Sequence, residues 1–332
     1  MKKWLGACLA LSLVIGCLLG GCAGDEKALK KVTLSEVTHS VFYAPQYVAM
    51  AKGFFAEEGI ELDLVNGQGA DKVMTAVVSG QADIGLSGPE AAIYVWGEGR
   101  DDFAVVFAQL TKRDGSFLLG REPDPDFTWD KLKGSYLIGG RTGGVPAMTL
   151  DYVLRSHGLE PNVDLTVDNS IQFALMGGAF TGGTGDYVTL FEPVASAVEA
   201  EGKGYILASV GEESGEIPYT AYYASKSYMK ENPEIIQGFT NAIYKGQQWC
   251  AEHSAQEIAE VIADQFPDND LELLVTVTQR HKDIDAWNGT PVMTEDAFER
   301  LQTVMDQAGE LTKPADYSAL VDNSYAEKAI KG

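Results

Sequence analysis

Four patterns in the sequence combine residue types that enzymes use for catalysis, and each departs from the spacing its chemistry needs. Gly85-Leu86-Ser87-Gly88-Pro89 is close to the turn that exposes a nucleophilic serine, but Pro89 stands where a second glycine is required. The Gly-rich stretches 139–144 and 177–185 match neither a Walker A motif nor a dinucleotide fingerprint. No metal-ligand spacing joins the histidines, which are His39, His157, His253 and His281. We therefore expect a protein that is not an enzyme, with no catalytic residue, metal site or cofactor.

Loops rich in glycine, aromatic and hydroxyl residues predict a binding site instead. In open α/β sheets, ligands bind where strands end and helices begin, because loops and helix N-termini converge there. Glycine allows close backbone approach, and a helix N-terminus attracts an anion. Four predicted loops have such positions: residues 38–43, 87–90, 140–144 and 189–193. We expect a solute to be held where these loops meet.

Nine residues of these loops, and Tyr219 in a hinge segment, are candidate ligand-binding residues. Arg141, Thr142 and Gly143 would hold a polar or anionic head group through the guanidinium and backbone N–H groups. Phe42 and Tyr43 would pack on the organic part of the solute. Hydrogen bonds would come from Ser40, Ser87 and Glu192, and a cationic or heteroaromatic solute would have Glu90 or Glu192 as its acceptor.

Structural roles are open for several of these residues. Arg141 could be a solvated surface charge, and Glu90 could complement a helix dipole. Phe42 and Tyr43 could fix the entry to the following helix. Asp83 and Asp186 are predicted to be structural turn residues.

Hydrophobic periodicity places the loops in two series of alternating strands and helices. The predicted strands are 32–37, 60–65, 82–86, 103–110, 136–139, 165–167 and 186–190. The predicted helices are 45–58, 71–79, 145–157, 170–176, 193–201, 234–252, 255–266, 271–283 and 294–308. This succession predicts mostly parallel sheets with helices on their faces.

A short internal repeat predicts two similar lobes. Gly80-Gln81-Ala82-Asp83 corresponds to Gly183-Thr184-Gly185-Asp186, and Glu98-Gly99 corresponds to Glu201-Gly202, each 103 residues later. Polar segments at 111–115 and 211–218 are the predicted crossovers. Lobe 1 would comprise residues 32–111 and 219–332, with lobe 2 (112–218) inserted into it. The C-terminal helices are expected to pack on lobe 1.

The N-terminus has the features of an export signal. Lys2 and Lys3 precede an apolar stretch, which ends at Leu19-Gly20-Gly21-Cys22 and resembles a bacterial lipobox. We therefore expect a signal peptide over residues 1–21, a lipid on Cys22 and a tether over 22–31. Cys250 would then be the one cysteine left with a free thiol. The mature chain would be exported and anchored to the outer face of the membrane.

The charge of the 332-residue chain is strongly negative. Its 25 Lys and Arg residues against 48 Asp and Glu give a formal charge of −23, and removal of residues 1–21 makes it −25. Nucleic acid binding requires Lys and Arg to replace phosphate counterions, so we exclude it as a function. The same charge leaves open whether the solute is an anion.

Several segments resemble a known family. Tyr43-Ala44-Pro45-Gln46-Tyr47-Val48-Ala49, with the following stretch 53–60, is similar to the opening of solute-binding proteins for aliphatic sulfonates, nitrate, taurine and thiamine-pyrimidine precursors. Ser79-Gly80-Gln81-Ala82-Asp83-Ile84-Gly85 continues the likeness, as does Glu192-Pro193. The similarity extends over about residues 32–265.

This resemblance implies a type 2 periplasmic-binding fold, with two α/β lobes, two hinge crossovers and extra C-terminal helices. It implies a monomer that captures a small solute between its lobes and delivers it to an ABC permease. The superfamily also contains fungal pyrimidine synthases that depend on a cysteine-rich motif and pyridoxal phosphate, and this chain lacks that motif. Such an enzyme, or a surface sensor with the same fold, is the alternative.

Overall fold

A computed structural model describes residues 28–332, which form two five-stranded sheets with helices packed around them. The predicted signal peptide, Cys22 and residues 23–27 of the predicted tether lie outside the described residues. Lys30 and Lys31, which we assigned to the tether, already belong to the first strand.

The first sheet contains four strands that run in one direction and one strand that runs in the opposite direction. Numbered in chain order, its strands are β1 (Lys30–Glu36), β2 (Ile60–Asn66), β3 (Ile84–Ser87), β4 (Ala104–Thr111) and β10 (Thr220–Ser225). Their spatial order is β2-β1-β3-β10-β4, and β10 runs antiparallel to both neighbours. We call this sheet and its helices lobe 1.

The second sheet repeats that arrangement. Its strands are β5 (Ser116–Gly120), β6 (Tyr136–Ile138), β7 (Thr166–Asp168), β8 (Tyr187–Phe191) and β9 (Tyr205–Ser209). The order is β7-β6-β8-β5-β9, and β5 runs antiparallel to β8 and β9. We call this sheet and its helices lobe 2. The predicted two-lobed α/β fold is confirmed.

Helices connect the strands and extend the chain after β10. Those before β10 are α1 (Ala44–Ala51), α2 (Phe54–Glu57), α3 (Ala70–Val78), α4 (Glu90–Gly97), α5 (Val145–Ser156), α6 (Met176–Thr181), α7 (Val194–Ala200) and α8 (Val210–Ser214). Those after it are α9 (Lys226–Glu231), α10 (Pro233–Glu252), α11 (Ala255–Ile262), α12 (Leu271–Asp283), α13 (Glu295–Gln307), α14 (Tyr317–Leu320) and α15 (Ser324–Lys331). No helix within residues 28–332 is long and apolar enough to cross a membrane.

The two segments that pass between the sheets lie side by side. Ile217 N donates to the Lys112 carbonyl at 2.9 Å, and Tyr219 N donates to the Thr111 carbonyl at 3.2 Å. The hydroxyl groups of Thr111 and Thr220 are 2.6 Å apart. These bonds join the two crossovers into a short ladder, so they would bend together if the lobes move.

The internal repeat corresponds to the same aspartate-to-backbone hydrogen bond in each lobe. Asp83, before β3, accepts a hydrogen bond from Thr33 N of β1 at 2.8 Å. Asp186, before β8, accepts one from Tyr136 N of β6 at 2.8 Å. The two donors are 103 residues apart in the sequence, and so are the two acceptors. The two aspartates are therefore structural, because each holds the start of one strand to the neighbouring strand.

Several elements differ from the sequence prediction. The predicted helix 45–58 is two helices, because Gly53 adopts a left-handed φ of 77° between them. The predicted helix 170–176 is wrong. The Asp168 carboxylate binds the N–H and hydroxyl of Ser170, which holds that segment in a turn, and α6 begins only at Met176. Strands β5 and β9 were not predicted.

The C-terminal helices also differ from expectation, since they do not all pack on lobe 1. Helices α10, α11 and α15 cover lobe 1, where α10 and α11 contact α1. Helix α12 touches α7, and α13 packs on α5, both in lobe 2. Arg155 of α5 donates to the carbonyl of Gln307 at 2.9 Å. Thus α12 and α13 bridge the lobes.

The repeated aspartates give a first test. Asp83→Asn or Asp186→Asn weakens one charge-assisted hydrogen bond, so each should lower the free energy of unfolding by about 1–2 kcal/mol. Urea unfolding followed by circular dichroism measures this, with Asp101→Asn as a control at an exposed position. Unchanged unfolding midpoints for both variants would contradict the structural role.

Candidate functional site

Most of the predicted site residues meet where the carboxyl ends of the two sheets face each other. The loops after β1, β3 and β8 contribute buried residues, and the second crossover adds one more. Those buried at this junction are Ser40, Phe42, Tyr43, Ser87, Glu90, Glu192 and Tyr219. The loop after β6 differs, because Arg141 and Thr142 are exposed and Gly143 is half-buried.

The lobes touch at this junction, so the structure is a closed form. Ser40 Oγ of lobe 1 donates to the carbonyl of Glu192 in lobe 2 at 2.8 Å. Tyr94 of α4 donates its hydroxyl hydrogen to the carbonyl of Gly143 at 2.9 Å. Gly143 has a φ of 76° and lies against the Tyr94 side chain.

The loop that carries Ser40 and Phe42 is held by a buried ion pair. His39 Nδ1 is 2.7 Å from Glu36 Oε1, and Nε2 is 2.9 Å from the carbonyl of Gln265. Both ring nitrogens face acceptors, and the hydrogen bond to Glu36 raises the pKa of His39, which favours the doubly protonated imidazole. Tyr47 and Gln46 also donate to Glu36, at 2.8 and 3.0 Å.

Phe42 is the centre of an aromatic cluster to which both lobes contribute. Its ring centroid lies 5.5 Å from that of Tyr43, 5.8 Å from Tyr219, 5.2 Å from His281 and 6.1 Å from Phe191. Phe191 belongs to lobe 2 and Tyr219 to a crossover. A flat organic group held between the lobes would meet these rings, whose edge and face contacts favour aromatic partners.

Glu192 is tied to a residue that the sequence analysis missed. Arg280 of α12 places Nη1 3.0 Å from Glu192 Oε1 and Nη2 2.5 Å from Glu199 Oε2, and it also donates to Ser196. Ser196 donates to the Glu192 carboxylate through its N–H at 2.9 Å and its hydroxyl at 2.7 Å. The Glu192 carboxylate therefore joins the lobes, and its acceptor capacity is largely used within the protein.

Arg141 forms an exposed ion pair at the edge of the junction. Its guanidinium is 2.9 Å from Asp71 Oδ1, and about half of each side chain is exposed (53% and 56%). A surface pair of this kind contributes about 0–1 kcal/mol. The side chain links α3 of lobe 1 to the loop before α5, and its charge lowers the pKa of the buried Glu90 carboxyl.

Glu90 is a buried carboxyl group on the lobe 1 side of the junction. Burial raises its pKa to about 7, although the N–H groups of Glu90, Val145 and Ala91 and the charge of Arg141 lower it in part. Val145 begins α5 of lobe 2, so a lobe 1 carboxyl faces a lobe 2 helix N-terminus. A Cβ at Gly88 would lie 1.9 Å from Glu90 Oε2, which explains the glycine there.

Five polar atoms of residues at the junction lack a hydrogen-bond partner within the part of the chain that the structure describes. They are Glu90 Oε2, Asp114 Oδ2, the Tyr219 hydroxyl and both ring nitrogens of His281. Burial raises the pKa of Asp114 to about 7, against the lowering effect of Ser116 and of the neighbouring Tyr219 hydroxyl. A buried polar group without a partner is costly, so these atoms are available to a solute.

Asp114 and His281 were not among the predicted site residues. Asp114 follows β4 in a polar crossover, and an acidic residue directly between two apolar strands was an available signal. His281 is fully buried beside Phe42, and burial lowers its pKa to about 3. Nothing in its sequence neighbourhood distinguishes it, because the rings it contacts are distant in the chain. Within residues 28–332 no cluster of potential metal ligands occurs.

Arg280 provides a test of lobe closure. Arg280→Gln removes the charge that Glu192 and Glu199 share, which should favour separation of the lobes by about 2 kcal/mol, or roughly 30-fold in the closed-to-open ratio. Small-angle X-ray scattering should then give a larger radius of gyration for the solute-free variant. Lys203→Gln, which breaks an ion pair inside lobe 2, is the control. Identical scattering from R280Q and wild type would refute a closing role.

Glu90 provides a test of burial. Since its folded pKa is raised above the usual 4.5, its contribution to stability is greatest below pH 4.5 and falls as the pH rises through about 7. The unfolding free energy of wild type minus that of Glu90→Gln should therefore decrease by up to about 3 kcal/mol between pH 4.5 and 8. Urea titrations across this range measure it, with exposed Glu98→Gln as control. Parallel pH profiles for wild type and E90Q would show that Glu90 is solvated.

Comparison with known proteins assigns the fold and family. The family model described as "NMT1/THI5 like" matches residues 41–257. YtlA of Bacillus subtilis (strain 168), whose provisional name is that of a binding protein, is 46% identical over 331 residues, covering 99% of this chain and 98% of YtlA.

Solved structures of low sequence identity share the fold. The nitrate-binding protein NrtA from Synechocystis PCC 6803 has a TM-score of 0.72 at 16% identity, covering 91% of this chain and 89% of NrtA. The alkanesulfonate-binding protein SsuA from Xanthomonas axonopodis pv. citri, bound to MOPS, has a TM-score of 0.71 at 16% identity, with 89% and 98% covered. The desulfurization enzyme DSZB also matches, with a TM-score of 0.62 at 15% identity over 91% of this chain and 99% of DSZB. The chain therefore belongs to the NMT1/THI5-like family and has the two-lobed fold of periplasmic binding proteins.

Proposed function

We propose that the protein is the extracytoplasmic solute receptor of an ABC importer, a lipoprotein that captures a small organic solute between its lobes and delivers it to a membrane permease. The observation that carries this proposal is the junction itself. Aromatic rings from lobe 1, lobe 2 and a crossover meet there beside buried polar atoms that lack partners. Such a site binds a solute and closes around it.

The proposed mechanism is a shift between open and closed forms. Crossovers that are hydrogen-bonded side by side act as the hinge, and Arg280 and Ser40 make the contacts that form on closure. A solute that touches both lobes stabilises the closed form by its differential affinity for that form. The permease would distinguish the two forms by their shape.

Export and anchoring rest on the N-terminal sequence. Residues 1–21 would be removed as a signal peptide, and the lipid on Cys22 would keep the monomeric receptor at the membrane surface. The short segment before β1 would then keep the receptor close to its permease.

The solute belongs to one of the classes that the sequence resemblance suggests: an aliphatic sulfonate, a nitrate- or taurine-like anion, or a thiamine-pyrimidine precursor. NrtA and SsuA, named for nitrate and alkanesulfonate binding, support the anions. The aromatic cluster around Phe42 supports a solute with a flat ring.

Catalysis by Cys250 is not supported by its surroundings. Its side chain is 1% exposed within α10, and burial raises the pKa of the thiol well above its ordinary value. A buried thiol of this kind is a poor nucleophile. The enzyme alternative therefore gains nothing from the cysteine.

A solute panel tests the proposal. Alkanesulfonates, nitrate, taurine, aminopyrimidines and riboflavin are each added to the mature protein, and the unfolding temperature is measured. A true solute at a hundredfold excess over Kd should stabilise the fold by about 2.7 kcal/mol and make the protein more compact in scattering. If no compound raises the unfolding temperature and none changes the scattering, the receptor function is wrong.

A matched pair of variants locates the binding. Tyr219→Phe removes only the unpartnered hydroxyl, so it should weaken binding of the active solute by roughly tenfold. Tyr205→Phe makes the same chemical change on β9, away from the junction, and should leave Kd unchanged. Equal affinities of the two variants would move the solute away from Tyr219.

A further inference from the structure

A buried carboxylate at the end of β1 depends on one histidine for its counter-charge. The Glu36 side chain is 1% exposed, and its ion-pair partner among residues 28–332 is His39, whose Nδ1 lies 2.7 Å from Glu36 Oε1. Tyr47 and Gln46 of α1 donate neutral hydrogen bonds to Oε2 at 2.8 and 3.0 Å. A carboxylate buried without a cation is costly, so this site needs the charge of His39.

The contacts of the His39 imidazole use both of its ring protons. Nδ1 faces the Glu36 carboxylate, and Nε2 lies 2.9 Å from the carbonyl oxygen of Gln265, which follows α11. A neutral imidazole has one N–H group, so one of these two oxygens would then face a nitrogen lone pair. The hydrogen bond to Glu36 raises the pKa of His39, although burial opposes it, and the bond to Gln265 adds to the increase.

The groups around the imidazole come from three elements. Glu36 belongs to β1, Tyr47 belongs to α1, and Gln265 and Phe266 follow α11. The Tyr47 oxygen is 3.1 Å from Nδ1, and the ring centroids of Tyr47 and Phe266 lie 4.9 and 4.7 Å from that of the imidazole. Burial raises the pKa of Tyr47 well above its ordinary value. Tyr47 therefore keeps its proton where His39 titrates, and the change of charge is that of the imidazole.

This network continues into the contact between the lobes. Ser40 N donates to the Tyr47 hydroxyl at 3.3 Å, and that hydroxyl donates to Glu36. Ser40 Oγ, which is buried, donates to the carbonyl of Glu192 in lobe 2 at 2.8 Å. Ser40 also follows His39 directly in the chain, so a movement of the imidazole is passed to it through the backbone and through Tyr47.

We propose that His39 is a positioning residue for closure of the lobes: its protonated imidazole, paired with Glu36, holds Ser40 where it bonds to the Glu192 carbonyl, and loss of that proton favours the open form. This inference rests on the proposed receptor function, in which closure captures the solute, and it adds that capture weakens as the pH rises. A neutral His39 leaves Glu36 buried without a cation, so the loop must move to let water reach the carboxylate. The hydrogen bond from Ser40 to lobe 2 is lost in that movement.

The test is small-angle X-ray scattering of the solute-free protein between about pH 6 and about pH 9. The closed-to-open ratio of wild type should fall by roughly tenfold as His39 loses its proton, with a larger radius of gyration at alkaline pH. His39→Gln keeps an N–H donor but does not titrate, so it should lack this change. Burial raises the pKa of Glu90 and of Asp114 to about 7, so the quantity to compare is the difference between wild type and H39Q at each pH.

Two further variants separate positioning from a general effect of the histidine. His157→Gln removes a histidine of similar exposure, 34% against 33%, whose Nε2 lies 2.8 Å from a carboxylate within lobe 2, and it should scatter as wild type does. Tyr47→Phe removes the hydroxyl that links Glu36 to Ser40. In Y47F the imidazole of His39 should still titrate by NMR, while the change of scattering that accompanies this titration disappears.

Circular dichroism at each pH establishes that the variants are folded, and Y47F carries the test should H39Q not fold. If a solute of the panel binds and compacts the protein, but wild type and H39Q change with pH in the same way, the receptor function holds and the role of His39 is wrong. Wild-type pH dependence of scattering in Y47F would also overturn that role. If no compound binds while the difference between wild type and H39Q is observed, the receptor function is wrong and the closing role of His39 stands.

Discussion

The burial of carboxylates between two lobes is the constraint on which the rest of the structure depends. Glu192 and Glu90 both lie at the junction with almost no solvent contact, and a buried charge is costly unless it is paired. Glu192 pairs with Arg280 of α12 and accepts a hydrogen bond from Ser196 of its own lobe. The ion pair with Arg280 holds lobe 2 against α12. That contact brings Ser40 to the Glu192 carbonyl and Phe191 to Phe42. Glu90 forms no ion pair among residues 28–332, although the charge of Arg141 lowers its pKa, and its unpartnered oxygen would be an acceptor for the proposed solute.

The repeated architecture explains why these groups meet. Each lobe has the same strand order, and in each an aspartate fixes the start of the third parallel strand to the first. Strands set in this way end at the same edge of their sheet, so the loops of the two lobes face each other across the crossovers. Helices α12 and α13 then bridge the lobes from outside. The topology thus places the two lobes so that they can close on each other, and a few side-chain contacts stabilise the closed form.

Sequence reasoning succeeded where the determining interactions are local. Periodicity located most strands and helices, and the spacing of Asp83 and Asp186 revealed the repeat that the hydrogen bonds of Thr33 and Tyr136 bear out. It placed Phe42 and Glu90 in loops that follow strands, and both side chains are buried there. It did not find Arg280, whose partner Glu192 is 88 residues away. It assigned Arg141 to the ligand. Its partner Asp71 is far away in the chain, and no local sequence pattern reveals the ion pair.

The overall charge of −23 has a counterpart in the junction, where Glu90 Oε2 and Asp114 Oδ2 are carboxyl oxygens without a hydrogen-bond partner among residues 28–332. A crystal structure of the protein with the solute that stabilises it most is the most direct test of binding between the lobes. The account predicts solute density within hydrogen-bond distance of Glu90 Oε2 and the Tyr219 hydroxyl, against the Phe42 ring, with contacts from both lobes. Solute bound to the outer surface of a single lobe, with the junction unchanged, would contradict it.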